Sequence, residues 1–89
     1  MIRRSLEIVN IKGLHARASA KVVEVVEKFD ASAEVYKDGS SASGDSIMGL
    51  LMLAASQGSF IDIETSGPDA EALAEALTAL VADKFGEDA

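Results

Sequence analysis

Leu6 and Ile8 alternate with Ser5 and Glu7, the period-two pattern of a strand with one buried face, and predict a first strand over about Arg3 to Val9. Lys12-Gly13-Leu14 then reads as a turn. From Ala16 onward, Ala18, Val22, Val25, Val26 and Phe29 recur at helical spacing with Lys21, Glu24, Glu27 and Lys28 opposite them. The valines cost a few tenths of a kcal/mol each in helix propensity, roughly, but so clean an apolar stripe outweighs that. Ala33, Val35 and Lys37 alternate with Glu34 and Tyr36 as a second strand, and Asp38-Gly39 accepts the positive φ of a tight hairpin. A third strand, about Ser40 to Ser43, is poor in apolar residues and so belongs at a sheet edge.

Ile47 to Ala55 is apolar nearly all round and predicts a short helix that buries Leu50, Leu53 and Ala54 and leaves Ile47, Met48 and Leu51 partly exposed. Ser56-Gln57-Gly58 stops it, and Phe60 to Thr65 alternates again with Ile61 and Ile63 inward. Gly67-Pro68-Asp69 opens a last helix whose inner stripe is Ala70, Leu73, Ala74, Leu77, Leu80 and Val81, with Lys84 and Gly86 at its finish. The order β-α-β-β-α-β-α, with no repeat or linker, predicts an α+β fold in which helices cover one face of an antiparallel or mixed sheet.

With 89 residues, the chain has room for a single domain over 1–89, and 48% hydrophobic residues favour an ordered globule. Cysteine is absent and histidine occurs once, which leaves no disulfide, no thiolate nucleophile, no cysteine metal site and no multi-histidine metal cluster. The net charge of -7 is the wrong sign for nucleic acid or an anionic membrane. It is also uneven, +2 over residues 1 to 37 and -9 over 38 to 89, so the first part tolerates an anion better than the second. Arg3-Arg4 and Ala18-Ser19-Ala20 superficially suggest an export signal, but Glu7, Asn10 and Lys12 interrupt any apolar stretch, and a soluble cytoplasmic protein is expected.

Two reactive side chains fall at predicted helix starts, where backbone N–H groups lack intrahelical partners and the helix dipole favours an anion. His15 enters the first helix, with Arg17 two residues on offering planar donors for phosphate oxygens. A neutral imidazole nitrogen is a nucleophile, so a transient phosphohistidine is chemically open to it; a surface cap residue beside an ordinary arginine fits the spacing equally. Ser46 falls at the N-cap of the second helix, where capping alone explains a serine and a modifiable hydroxyl is the other reading.

Gly13-Leu14-His15-Ala16-Arg17, with Ser46-Ile47-Met48-Gly49-Leu50 about thirty residues on, resembles HPr, the histidine-containing phosphocarrier family of the bacterial phosphoenolpyruvate phosphotransferase system. The resemblance covers essentially the whole chain and implies an open-faced β-sandwich, a four-stranded antiparallel sheet with three helices on one face. It implies that His15 accepts phosphate from phosphorylated enzyme I on Nδ1 and passes it to a histidine of a IIA protein, assisted by Arg17, with no cofactor and no metal. It further implies Ser46 as a site for an ATP-dependent HPr kinase/phosphorylase, and Ala16, Ala20, Ile47, Met48 and Leu51 as a docking surface on a monomer. The chain departs from the family where Ala18 replaces the usual proline, and where Asp45 and Gly49 flank the serine instead of basic residues. These departures look more like the nitrogen-related branch. Two rivals remain at this stage: an acyl carrier-like helical bundle with a phosphopantetheine arm on Ser46, which the strands argue against, and a regulatory binding module that never carries phosphate.

Overall fold

The computed structural model describes all 89 residues. The elements are β1 (Ile2–Glu7), α1 (Ala16–Glu27), β2 (Ser32–Lys37), β3 (Ser40–Ser43), α2 (Ile47–Met52), β4 (Phe60–Ser66) and α3 (Ala70–Ala82). The strands form one sheet in the order β1-β4-β2-β3, every pair antiparallel. Strand β3 is therefore an edge, as its poverty in apolar residues requires. At the β2–β3 hairpin both Asp38 and Gly39 have positive φ (51° and 83°), the combination a type I′ turn needs.

Register puts Leu6 opposite Ile61, and Val35 between Ile63 and Ala42, so one face of the sheet is continuously apolar. Ala18, Val22 and Val26 of α1 and Leu73, Ala74, Leu77 and Val81 of α3 close over that face in one core. The opposite face carries Ser5, Glu34, Tyr36, Ser41, Asp62 and Glu64 and has no helix over it. This is the open-faced, four-stranded antiparallel architecture with three helices on one face. A sheet of this kind removes the acyl carrier-like bundle. No helix is long and apolar enough to cross a membrane.

The structure moves several boundaries. Strand β1 stops at Glu7 instead of Val9, because Ile8 turns its N–H to Ser59 O (2.8 Å) and accepts from Gly58 N (2.8 Å), next to the positive φ of Gly58. Helix α2 ends at Met52, three residues short of the expected Ala55. Ala54 adopts φ 52°, which throws its own side chain outward and turns Ala55 into the core in its place. Pro68 lies in the turn before α3 and not in its first turn, and Leu80 is only partly buried. Past α3, Lys84, Phe85 and Gly86 all have positive φ (57°, 55° and 80°), a tight turn that drives Phe85 into the core at 1% exposure.

Candidate functional site

His15 is the N-cap residue of α1, in extended backbone geometry (φ -82°, ψ -175°), and its side chain does not cap the helix. The first helical bond runs from Ser19 N to His15 O (2.8 Å), and the amides of Ala16, Arg17 and Ala18 find no acceptor in the chain. Three free donors at the positive end of a twelve-residue helix therefore surround the entry at which the imidazole sits. The turn before it is clamped to the segment that follows α2: Leu14 N donates to Ala55 O (2.8 Å) and Leu14 is buried. Gly13 makes this close approach possible. Its φ is +68°, and a Cβ there would lie 2.4 Å from Ala55 O.

The imidazole, whose side chain is 25% exposed, is met by a residue that sequence reasoning passed over. Glu87 accepts from His15 Nε2 through Oε2 and from Asn10 Nδ2 through Oε1 (2.9 Å). Asn10 is fully buried, and the same Nδ2 also donates to Gly13 O (2.9 Å), while its Oδ1 has no partner. The segment that carries Glu87 is anchored on both sides, by Phe85 in the core and by Ile11 N donating to Ala89 O (3.2 Å). These bonds, with the nearby charges of His15 and Lys12, hold the Glu87 carboxyl below the ordinary carboxylate range against a smaller opposing effect of burial.

Beside this cluster lies a cleft of about 470 Å³ lined by Ile11, Lys12, Arg17, Lys21 and residues 85 to 89. Elsewhere, Arg3 pairs with Asp62 and Glu64, Arg4 with Glu75, and Lys37 with Asp38, whereas Lys12, Arg17 and Lys21 form no ion pair. Three of the five basic side chains without an ion pair thus line one cleft, Lys28 and Lys84 lying outside it. Glu87 and Asp88 share that lining, so the cations and the carboxylates of the last residues face one cleft.

Ser46 caps α2, its Oγ accepting from Gly49 N (3.0 Å). Asp45 beside it accepts from Ser43 Oγ (2.6 Å). Along α2, Met48 (69%) and Met52 (80%) stand largely in solvent, Ile47 is exposed and Leu51 half-buried. Helix α1 packs against α2 and presents Ala16 exposed and Ala20 half-buried.

A family model described as the PTS HPr component phosphorylation site matches residues 2–83. The chain belongs to the HPr phosphocarrier family. It is 44% identical to the phosphocarrier protein HPr of Cupriavidus necator over 98% of both chains. It is 40% identical to the phosphocarrier protein NPr of Shewanella violacea, over 97% of this chain and 94% of that one. Among solved structures, HPr-C-His from Thermoanaerobacter tengcongensis superposes with a TM-score of 0.94 over 100% of both chains at 38% identity. HPr is a phosphocarrier of the phosphotransferase system, a carrier and not a catalytic enzyme.

Within this HPr fold, His15, Ala16 and Arg17 cluster at the start of α1, next to the segment that follows α2. Ser46 is at the opposite end of α2, about 9 Å of helix away at 1.5 Å per residue. Met52, Asn10 and Glu87 were absent from the residues expected to form the site. For Met52 the signal was present, an apolar residue in a surplus run. For Asn10 and Glu87 there was none, since their meeting spans 77 positions of chain.

Proposed function

We propose that His15 is the phosphoryl-carrying residue: Nδ1 attacks the phosphorus of a phosphohistidine on enzyme I, and the group later passes to a histidine of a IIA protein. In each step one N–P bond forms as another breaks, and the breaking bond's electron pair stays on the departing ring nitrogen. No cofactor enters. The observation that carries this reading is the part-exposed imidazole at an uncapped helix start, with the amides of Ala16, Arg17 and Ala18 free beside it. Those donors, fixed by the helix backbone, meet the charge of the transferring group without reorganisation, and the exposed Arg17 guanidinium turns toward it to add its own charge.

Ser46 is the regulatory position, where an ATP-dependent kinase would transfer the γ-phosphoryl group to Oγ with release of ADP and the hydroxyl proton. Its place beside the exposed side chains of Ile47 and Met48 supports this reading, because a dianion there alters the docking face. Ala16, Ala20, Ile47, Met48 and Leu51, joined by Met52, form that face for enzyme I and IIA proteins on a monomer acting in the cytoplasm.

Incubation with enzyme I and phosphate-labelled phosphoenolpyruvate tests the central claim. The parent takes up acid-labile label and His15→Ala takes up none, while keeping its fold because the His15 side chain caps no helix amide and stands partly in solvent. Labelling of the His15→Ala variant would refute the assignment, and an unlabelled parent would favour a binding module that carries no phosphate.

A further inference from the structure

We infer that Glu87 is a positioning residue for His15: its carboxylate keeps the ring proton on Nε2 and thereby leaves Nδ1 as the nitrogen that bears the lone pair. The inference rests on the phosphocarrier reading above and deepens it. An ionised carboxylate only accepts hydrogen bonds, so the ring nitrogen it meets must be the donor. A neutral imidazole has a single N–H, and the other nitrogen is then bare and nucleophilic.

The placement of Glu87 is built and not incidental. Asn10 Nδ2 has an acceptor on each side, Gly13 O and Glu87 Oε1. Turning the amide over would set Oδ1 against both oxygens, so the Asn10 donor is committed to that carboxylate. The left-handed turn over Lys84 to Gly86 and the burial of Phe85 then fix where the next residue can reach. Two left-handed non-glycine residues cost roughly 1 kcal/mol or more each. The chain tolerates them at the point where they aim Glu87 at the imidazole.

The same contact suits the carrying step. When the N–P bond forms at Nδ1, the Nε2 proton stays in place and the ring becomes formally cationic. The facing carboxylate offsets that charge, as a buried carboxylate does for the imidazolium of a serine protease triad.

The isosteric variant discriminates sharply. In Glu87→Gln, the side-chain oxygen stays with the Asn10 donor, which turns the new NH2 group toward Nε2. Nε2 must then accept, and the ring proton moves to Nδ1. Glu87→Ala removes both partners and leaves the ring its free choice of tautomer. Ring-nitrogen NMR of His15, at a pH well above the ordinary imidazole range, is therefore expected to show Nε2–H in the parent and Nδ1–H in Glu87→Gln. Phosphoryl uptake from enzyme I is expected to fall about tenfold or more in Glu87→Gln, and less in Glu87→Ala. A role confined to anchoring the segment predicts the reverse order, with the isosteric variant the milder. An Nε2–H tautomer in Glu87→Gln, uptake at the parental rate, or slower uptake in Glu87→Ala than in Glu87→Gln would each overturn the inference while a labelled parent left the phosphocarrier reading standing. A parent that took no label would overturn both.

Discussion

Glu87 shows how much one side chain can depend on distant neighbours. The Asn10 amide and the His15 ring stabilise its ionised form, and the charges of His15 and Lys12 add to them. A carboxyl whose folded-state value is lowered contributes stability above its unfolded value, here near 4.5, and loses that contribution as pH falls through the folded value. The Glu87 carboxyl carbon is expected to titrate with a midpoint below 4.5. Protection of the Ile11 amide, which bonds to Ala89 O, should disappear over the same pH interval. A midpoint at the ordinary value, with the Ile11 amide unprotected, would show that the segment does not dock in solution. None of this was readable locally, since a glutamate near the end of an acidic stretch looks like any solvated charge. Gly13 differs: its place before Leu14-His15 marked a turn, and its positive φ beside Ala55 gives that turn its reason.

Among the elements, those defined by local periodicity emerged close to expectation. The stripe of α1, the Asp38-Gly39 hairpin and the inward Ile61 and Ile63 each follow from side-chain direction within a few residues of chain. The end of α2 did not, because an apolar run has no polar face whose loss marks the last turn, and Ala54 reverses hand without a glycine. Pairing between distant strands brings its own energetics. Register sets Glu34 directly opposite Glu64 on the uncovered face, and like charges in that position are destabilising. Glu64 is already approached by Arg3 (3.4 Å), which also stacks over the Tyr36 ring at 4.8 Å. Glu34→Lys should convert the repulsion to attraction and add about 0.5 kcal/mol, or about 2 to 4 °C in Tm for a domain of this size. Thermal unfolding checks this, and an unchanged or lower Tm would mean that the two carboxylates do not interact across the strands.

For the molecule as a whole, charge and apolar surface are sorted onto different regions. Lys12, Arg17 and Lys21 line the cleft by His15 together with Glu87 and Asp88, acidic groups populate the open sheet face, and Ile47, Met48 and Met52 stand uncovered on α2. If α2 is the docking face, Met48→Asp should reduce kcat/KM for transfer from enzyme I by about tenfold or more, with stability within about 0.5 kcal/mol because the residue is exposed. Ser46→Asp should weaken the same transfer by adding charge at the start of that helix. Steady-state transfer assays alongside unfolding curves read both, and parental rates in both variants would move the docking face off α2.

Residue order alone determines which segments become strands or helices, which side of each is apolar, and that His15 and Ser46 begin helices, because those properties follow from alternation and capping over a few positions. The contacts that shape the site belong to folding. Asn10, Gly13, His15, Ala55 and Glu87 are scattered over 78 residues of the chain. They meet only because the antiparallel order β1-β4-β2-β3 and the packing of Phe85 return the chain to its starting edge. The proton's place on the imidazole is set there, by an acceptor that no local pattern could have supplied.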